Sequence, residues 1–406
     1  MRGLVKFLVV SAALCVGAGC RPASPTVPVV TFEQRLAKAG LQGFWDFRLP
    51  LHAGEKIARL YLLDENLYCL TSDNRLVAID AMVGQVLWSQ EVADAGKTVF
   101  APHHYDGIVL SKTPATMEQL LKRGQAGGKS APFDVVFVTT ITHAKAFDRR
   151  KGELIRTVPF TFGPGASAGA VSDGRYLFVT DNRGYYHAVR LHEGLRIWTR
   201  SIGDIIMAPP AYSNDKFYVA NAAGMVHAVS ASQARQKIWS RRLDGPVTAA
   251  MLVDRQGCFV PCEDRRLYAL DPVSGRELWD PLDCDRPLRD APQASDVSVF
   301  QYARGGSFYA VNRANGALRW KMTGPRKVLA VLDNDVYLVD NQRHLLIVDE
   351  ILGKVKASVG LDGMQLFAAN TTAPAIYYAK RNGQIYCLRS LSAGRLTAEM
   401  IRQAGK

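Results

Sequence analysis

The stretch LYALDPVSGRELW, residues 267–279, reads as a strand, a polar turn and a second strand, and it recurs. FYAVNRANGALRW follows at 308–320 and YHAVRLHEGLRIW precedes it at 186–198, with Ala, Gly and Trp in the same places. All six tryptophans of the 406-residue chain fall at the last position of this pattern: Trp45, Trp88, Trp198, Trp239, Trp279 and Trp320. Two further copies lack it, with Arg156 and Ala357 in its place. The eight positions lie 43, 68, 42, 41, 40, 41 and 37 residues apart. A sustained period near 40 marks a repeat architecture.

Each unit has the same grammar. A run of small residues (SAGAVS, APPAYS, TAAMLV) precedes an apolar strand such as YLFVTD or KFYVAN, then a polar turn, the LYALD-type strand, a glycine turn and the strand ending on Trp. Short Val-, Tyr- and Ile-rich strands separated by Asn, Asp and Gly turns are hairpin signals. Four antiparallel strands per unit make a propeller blade, so the expected fold is all-β, an eight-bladed β-propeller. Ala188, Ala228, Ala269 and Ala310 would sit where blades crowd together. Gly84, Gly194, Gly275 and Gly316 would supply turns with positive φ, and the indoles would wedge between blades as structural docking groups. GFWDFRLPL, around Trp45, is an outer strand with no inner strands before it. The C-terminal copy has middle strands but no outer one. Pairing the two chain ends would complete the eighth blade and leave no open ring.

The propeller is expected over 43–400, with residues 20–42 a proline-containing tether and short lead-in and 401–406 a tail. An insertion at 113–132 should begin as a short helix capped by Thr113, between the first two strands of its blade. Residues 1–19 read as a targeting segment: basic Arg2 and Lys6, an apolar run, then Gly-Ala-Gly before Cys20. This resembles a bacterial lipoprotein signal with Cys20 as the lipidated residue, although Gly17 stands where that pattern usually has Leu. Arg21, rather than Asp, after the cysteine favours the outer membrane.

The composition is globular, 48% hydrophobic and 21% charged. The formal charge of +13 suits acidic partners such as anionic lipid, polypeptide or polysaccharide, and nucleic acid is not expected outside the cytoplasm. Cys69, Cys258, Cys262, Cys284 and Cys387 are odd in number and show no zinc spacing, so buried free thiols are expected. His103 and His104 in HHYDG point to opposite faces of a strand and make a poor metal pair.

One constellation stands above this background. The turns between the two middle strands carry Arg75, Arg183, Arg265 with Arg266, Arg304, Arg343 and Arg381, one or more in six of the eight blades. In a propeller these turns emerge at one end of the ring, with the connections between blades, which add Arg286, Arg289, Arg326 and Lys327. A circle of guanidinium groups would suit carboxylates or phosphates. The bland alternative is a soluble turn residue copied by duplication.

The repeat Ala-x-Asp-x-x-x-Gly-x-x-x-Trp, as at Ala269, Asp271, Gly275 and Trp279, is similar to the tryptophan-docking repeat of pyrroloquinoline quinone dehydrogenases. Together with the lipoprotein leader and about eight blades, it resembles the propeller lipoproteins of the outer-membrane β-barrel assembly machinery. That resemblance implies a non-catalytic, lipid-anchored scaffold at the periplasmic face of the outer membrane, whose partners are envelope proteins such as the assembly machinery or nascent outer-membrane proteins. An envelope-polysaccharide binder is the alternative. A quinone-dependent dehydrogenase is disfavoured, because that family usually places two adjacent cysteines beside its cofactor and none occur here; no cofactor or metal is expected.

Overall fold

The computed structural model describes residues 31–108, 133–156, 159–163, 165–232, 236–361 and 363–404. They form eight four-stranded antiparallel sheets, and in seven of them the strands follow chain order. Blades 1 to 7 span 57–91, 103–161, 171–201, 211–242, 252–283, 293–323 and 325–360. The eighth takes its inner strands from 366–390 and its outer strand, β1 (Leu41–Arg48), from the other end of the chain. β1 pairs antiparallel with the last strand, Gln384–Ser390, from Leu41↔Ser390 to Arg48↔Gln384, with an irregularity between Gly43 and Trp45. The ring therefore closes as the chain ends required. Residues 1–19, Cys20 and the helix expected at Thr113 lie outside the described residues. The chain between 109 and 132 joins the first two strands of blade 2, His103–Ile108 and Phe133–Thr139. Among the described residues no helix is long and apolar enough to cross a membrane.

Burial follows the position of each strand. The second strand of blade 1, NLYCLT (Asn66–Thr71), is buried at every residue because neighbouring blades cover both faces. Outer strands alternate instead, as in VLWSQE (Val86–Glu91), where Trp88 is the buried residue. The innermost strands of blades 3, 4, 5, 6 and 8 are only two or three residues long, and the chain leading into them is crowded: a Cβ on Gly169 would come to 3.0 Å from the Ala101 carbonyl oxygen. All five described cysteines are free and buried, and burial raises every one of their pKa values.

The recurring Ala, Gly and Trp prove to be one device. In its own blade the tryptophan sits opposite the alanine of the third strand, as in Ala269↔Trp279 and Ala310↔Trp320. Its ring then lies on the turn glycine of the following blade. An added Cβ would meet the ring of Trp45 at Gly84 (2.7 Å), of Trp239 at Gly275 (2.6 Å) and of Trp279 at Gly316 (2.5 Å). These glycines also have φ of +71 to +75°, so two constraints exclude a side chain. The indole N–H donates to a carbonyl of the same turn: Trp45 to Ala81 (3.1 Å), Trp88 to Arg149 (2.8 Å), Trp279 to Arg313 (3.2 Å) and Trp320 to Glu350 (2.8 Å).

The two copies without tryptophan solve the junction differently. Arg156 is 3% exposed, lies against Gly194 and donates to the carbonyls of His192 (3.3 Å) and Glu193 (3.2 Å). A guanidinium thus takes the indole's slot and satisfies the same kind of acceptor. In blade 7 the volumes are exchanged, with Ile347 opposite Ala357. The opposite end of the ring is stapled by side chains from these same turns: Arg149 reaches Asp106 (2.6 Å) and Glu65, and Arg313 reaches Asp254.

Candidate functional site

The turns between second and third strands, and the connections between blades, share one end of the ring. The N–H groups of Ile202, Cys284 and Leu361, each leaving an outer strand, donate to the turn carbonyls of Gly184 (2.9 Å), Arg265 (2.7 Å) and Arg343 (2.9 Å). Gly306 of the blade 6 turn lies against Asp285 and Arg286 of the preceding connection. The arginines named from the sequence are therefore brought together at this end, but in different states.

Three are held by carboxylates. Arg75 makes a two-pronged pair with Glu55 (2.9 and 2.7 Å) and also donates to the Pro50 carbonyl. Its hydrogen bonds hold the Glu55 carboxyl down at about 2. Arg304 grips Asp290 with two bonds (3.0 and 2.7 Å), and Arg266 bridges Asp244 and Asp283. Of the connection residues, Arg289 pairs with Glu263.

Arg183, Arg265, Arg343 and Arg381 are exposed. None of them has a side-chain partner among the described residues. Arg265 and Arg343 moreover adopt left-handed backbone, φ +75° and +63°, at the turn position where sibling blades use Gly184, Gly224, Gly383 or Asn74. A Cβ-bearing residue there costs about 1–2 kcal/mol. Arginine held at a strained position where glycine serves elsewhere is a reason to look for a role.

Sequence reasoning missed two features of this end. The first is apolar: Ile141 in the blade 2 turn and Ile205 with Met207 between blades 3 and 4 are 44, 47 and 54% exposed. An isolated exposed apolar residue means little, but these three belong to the turn of the preceding blade and the connection to the following one, on either side of the blade that carries Arg183. The second is a pair of cavities. One of about 610 Å³ opens at the channel mouth between blades 1, 6, 7 and 8, and one of about 630 Å³ lies at the junction of blades 8 and 1; Gln365 lines both. Nothing in the sequence marks these cavities, since their walls come from segments up to about 300 residues apart.

Other candidates resolve into structure. His104 is bonded to the Tyr68 hydroxyl (2.8 Å) and to Asp64 (2.9 Å), while burial pushes its neighbour His103 down to about 4. His52, Glu55 and Asp73 offer ligand atoms within 4.8 Å of one another, yet both Glu55 oxygens already serve Arg75.

With this geometry in hand, comparison with known proteins is informative. The profile of a family described as outer membrane protein assembly factor BamB matches residues 187–298. The BamB proteins of Moranella endobia and Yersinia pestis are 26% identical over 137 residues and 23% identical over 232 residues. Those alignments take in 30% and 52% of this chain, and 34% and 56% of the relatives. The chain thus spans about a third and about half of the lengths of these two relatives. Among solved structures, BamB from Moraxella catarrhalis superposes with a TM-score of 0.60 at 15% identity, covering 86% of this chain and 97% of that one. The computationally designed Ika8 protein gives a TM-score of 0.60 at 12% identity, over 84% and 98%. At such identities these two superpositions speak for the fold alone.

Proposed function

We propose that this chain, a propeller of the pyrroloquinoline quinone type resembling BamB, is a non-catalytic scaffold of the bacterial envelope that assists outer-membrane protein assembly. Cys20 carries the lipid anchor at the periplasmic face of the outer membrane, and the arginine-bearing end of the ring takes the protein partner. The observation that carries this reading is the composition of that end. Arg183, Arg265 and Arg343, exposed and without a side-chain partner among the described residues, stand at one end of the ring, which also carries exposed Ile141, Ile205 and Met207. Exposed apolar side chains and guanidinium groups sharing one face are the make-up of a protein-binding surface. The tryptophans are spent in blade junctions, on the turns of the following blades. The buried thiols offer no vicinal pair.

The test is crosslinking in cells followed by capture of the full-length chain and mass spectrometry of what comes with it. Recovery of the barrel-assembly complex or nascent outer-membrane proteins is expected. The combined change Arg183→Glu, Arg265→Glu and Arg343→Glu should lower that recovery roughly tenfold with an unchanged melting temperature. Undiminished recovery, or capture of glycan without protein, would overturn the reading.

A further inference from the structure

Lys327 is an anomaly. It stands on the innermost strand of blade 7 (Pro325–Leu332), partly withdrawn from solvent. Its ammonium donates to the Phe367 carbonyl at 2.8 Å. No carboxylate pairs with it among the described residues, and burial lowers its pKa accordingly. A sheltered charge without a counter-ion is costly, and here the charge borders the channel-mouth cavity of about 610 Å³.

The cavity has the means to repay that cost with a ligand. Its one lining carboxylate among the described residues, Asp290, is spent on Arg304, whereas Arg59 and Arg326 are exposed with no acidic partner among those residues. Gln365 also lines the second cavity, whose walls carry Arg48, Lys56, Lys380 and Arg381. The carboxylate there, Glu55, is likewise spent, on Arg75. Eight cationic side chains thus face two carboxylates that are both already committed.

We propose that this cleft binds an extended acidic polypeptide segment, with one carboxylate seated among Arg59, Arg326 and Lys327 and another over Lys56 and Arg381. Arginine forks match carboxylates in two-pronged fashion. The walls are not uniformly basic: Tyr61, Tyr302, Leu366 and Phe367 line them together with the cations. A polyphosphate or sulfated glycan would leave these apolar surfaces unmet, while a peptide alternating acidic and apolar residues would cover both. This inference goes beyond the scaffold reading and does not depend on which assembly the ring joins.

The experiment is fluorescence anisotropy of the full-length chain in detergent with a labelled peptide alternating glutamate and tyrosine, and with its glutamine counterpart. The glutamate peptide should bind and the glutamine peptide should bind at least about tenfold more weakly. Arg326→Glu with Arg381→Glu, both at exposed sites, should weaken binding about thirtyfold or more, and Lys327→Met about tenfold, since a bond to a charged group is worth that much. Arg183→Glu with Arg265→Glu, on other blades of the same end, should change it less than about threefold because salt screens distant charges. Equal binding of both peptides, equal loss from the two reversal pairs, or tripolyphosphate displacing the peptide at a lower concentration than the free peptide does would each overturn the proposal. None of the cleft variants enters the capture experiment above, so the two readings can fail separately.

Discussion

Replacing Gly316 by alanine tests the blade junction directly. Gly316 has φ +72°, and a Cβ there would stand 2.5 Å from the Trp279 ring. The left-handed backbone alone costs about 1–2 kcal/mol for alanine. The ring must also retreat, and overpacking of this kind costs about 1–3 kcal/mol. If retreat breaks the 3.2 Å bond from the indole N–H to the Arg313 carbonyl, a buried donor is stranded at about 1–3 kcal/mol more. Because one movement relieves part of the others, the expected total is about 3–5 kcal/mol. Gly96→Ala is the internal control: its φ is +78°, but no atom lies within 4 Å of the new methyl, so about 1–2 kcal/mol is expected. Urea midpoints followed by tryptophan fluorescence give the two costs, and a double-mutant cycle with Trp279→Ala isolates the contact. In that background the alanine at 316 should cost no more than the one at 96, a coupling of about 2–3 kcal/mol. If Gly316→Ala and Gly96→Ala prove equal, or the coupling is zero, the glycine serves its own turn and the docking argument fails.

Further expectations concern the arginines that hold structure. Arg156→Ala should cost about 2–3 kcal/mol, measured by the same urea midpoints, because it empties a buried slot and strands the carbonyls of His192 and Glu193; a loss below about 0.5 kcal/mol would mean that the guanidinium is a mere surface charge. Glu55→Gln should cost about 3 kcal/mol at neutral pH, since Arg75 is left sheltered without its counter-ion. The Glu55 carboxyl is depressed from 4.5 to about 2 in the folded chain, so its stabilisation is complete above pH 4.5 and is lost as pH falls through about 2. The gap in melting temperature between the parent and Glu55→Gln should therefore narrow over that interval, and parallel curves would contradict the assignment.

The period of tryptophans and glycines by itself determines the architecture, because a repeat must build the same local structure each time it occurs. The unpaired strand around Trp45 likewise determined how the ring closes, since an outer strand lacking inner neighbours at one chain end matches the deficit at the other. Even the irregular copies at Arg156 and Ala357 were visible as departures from the pattern. Their remedies were not: that a guanidinium lies on Gly194, or that Ile347 stands across from Ala357, depends on packing across a junction.

The same division runs through the candidate site. Turn position placed the arginines at one end of the ring, which is a matter of local chain geometry. Whether each is available depends on carboxylates supplied by other segments, so Arg75 and Arg304 are bound to Glu55 and Asp290 while Arg183 and Arg343 meet no carboxylate among the described residues. Lys327 reads in the sequence as one more connection cation. Only the closed ring shelters it, leaves it without a carboxylate among the described residues and sets it beside a cleft walled by four blades, because charge pairing and burial are properties of distance in space and not of distance along the chain.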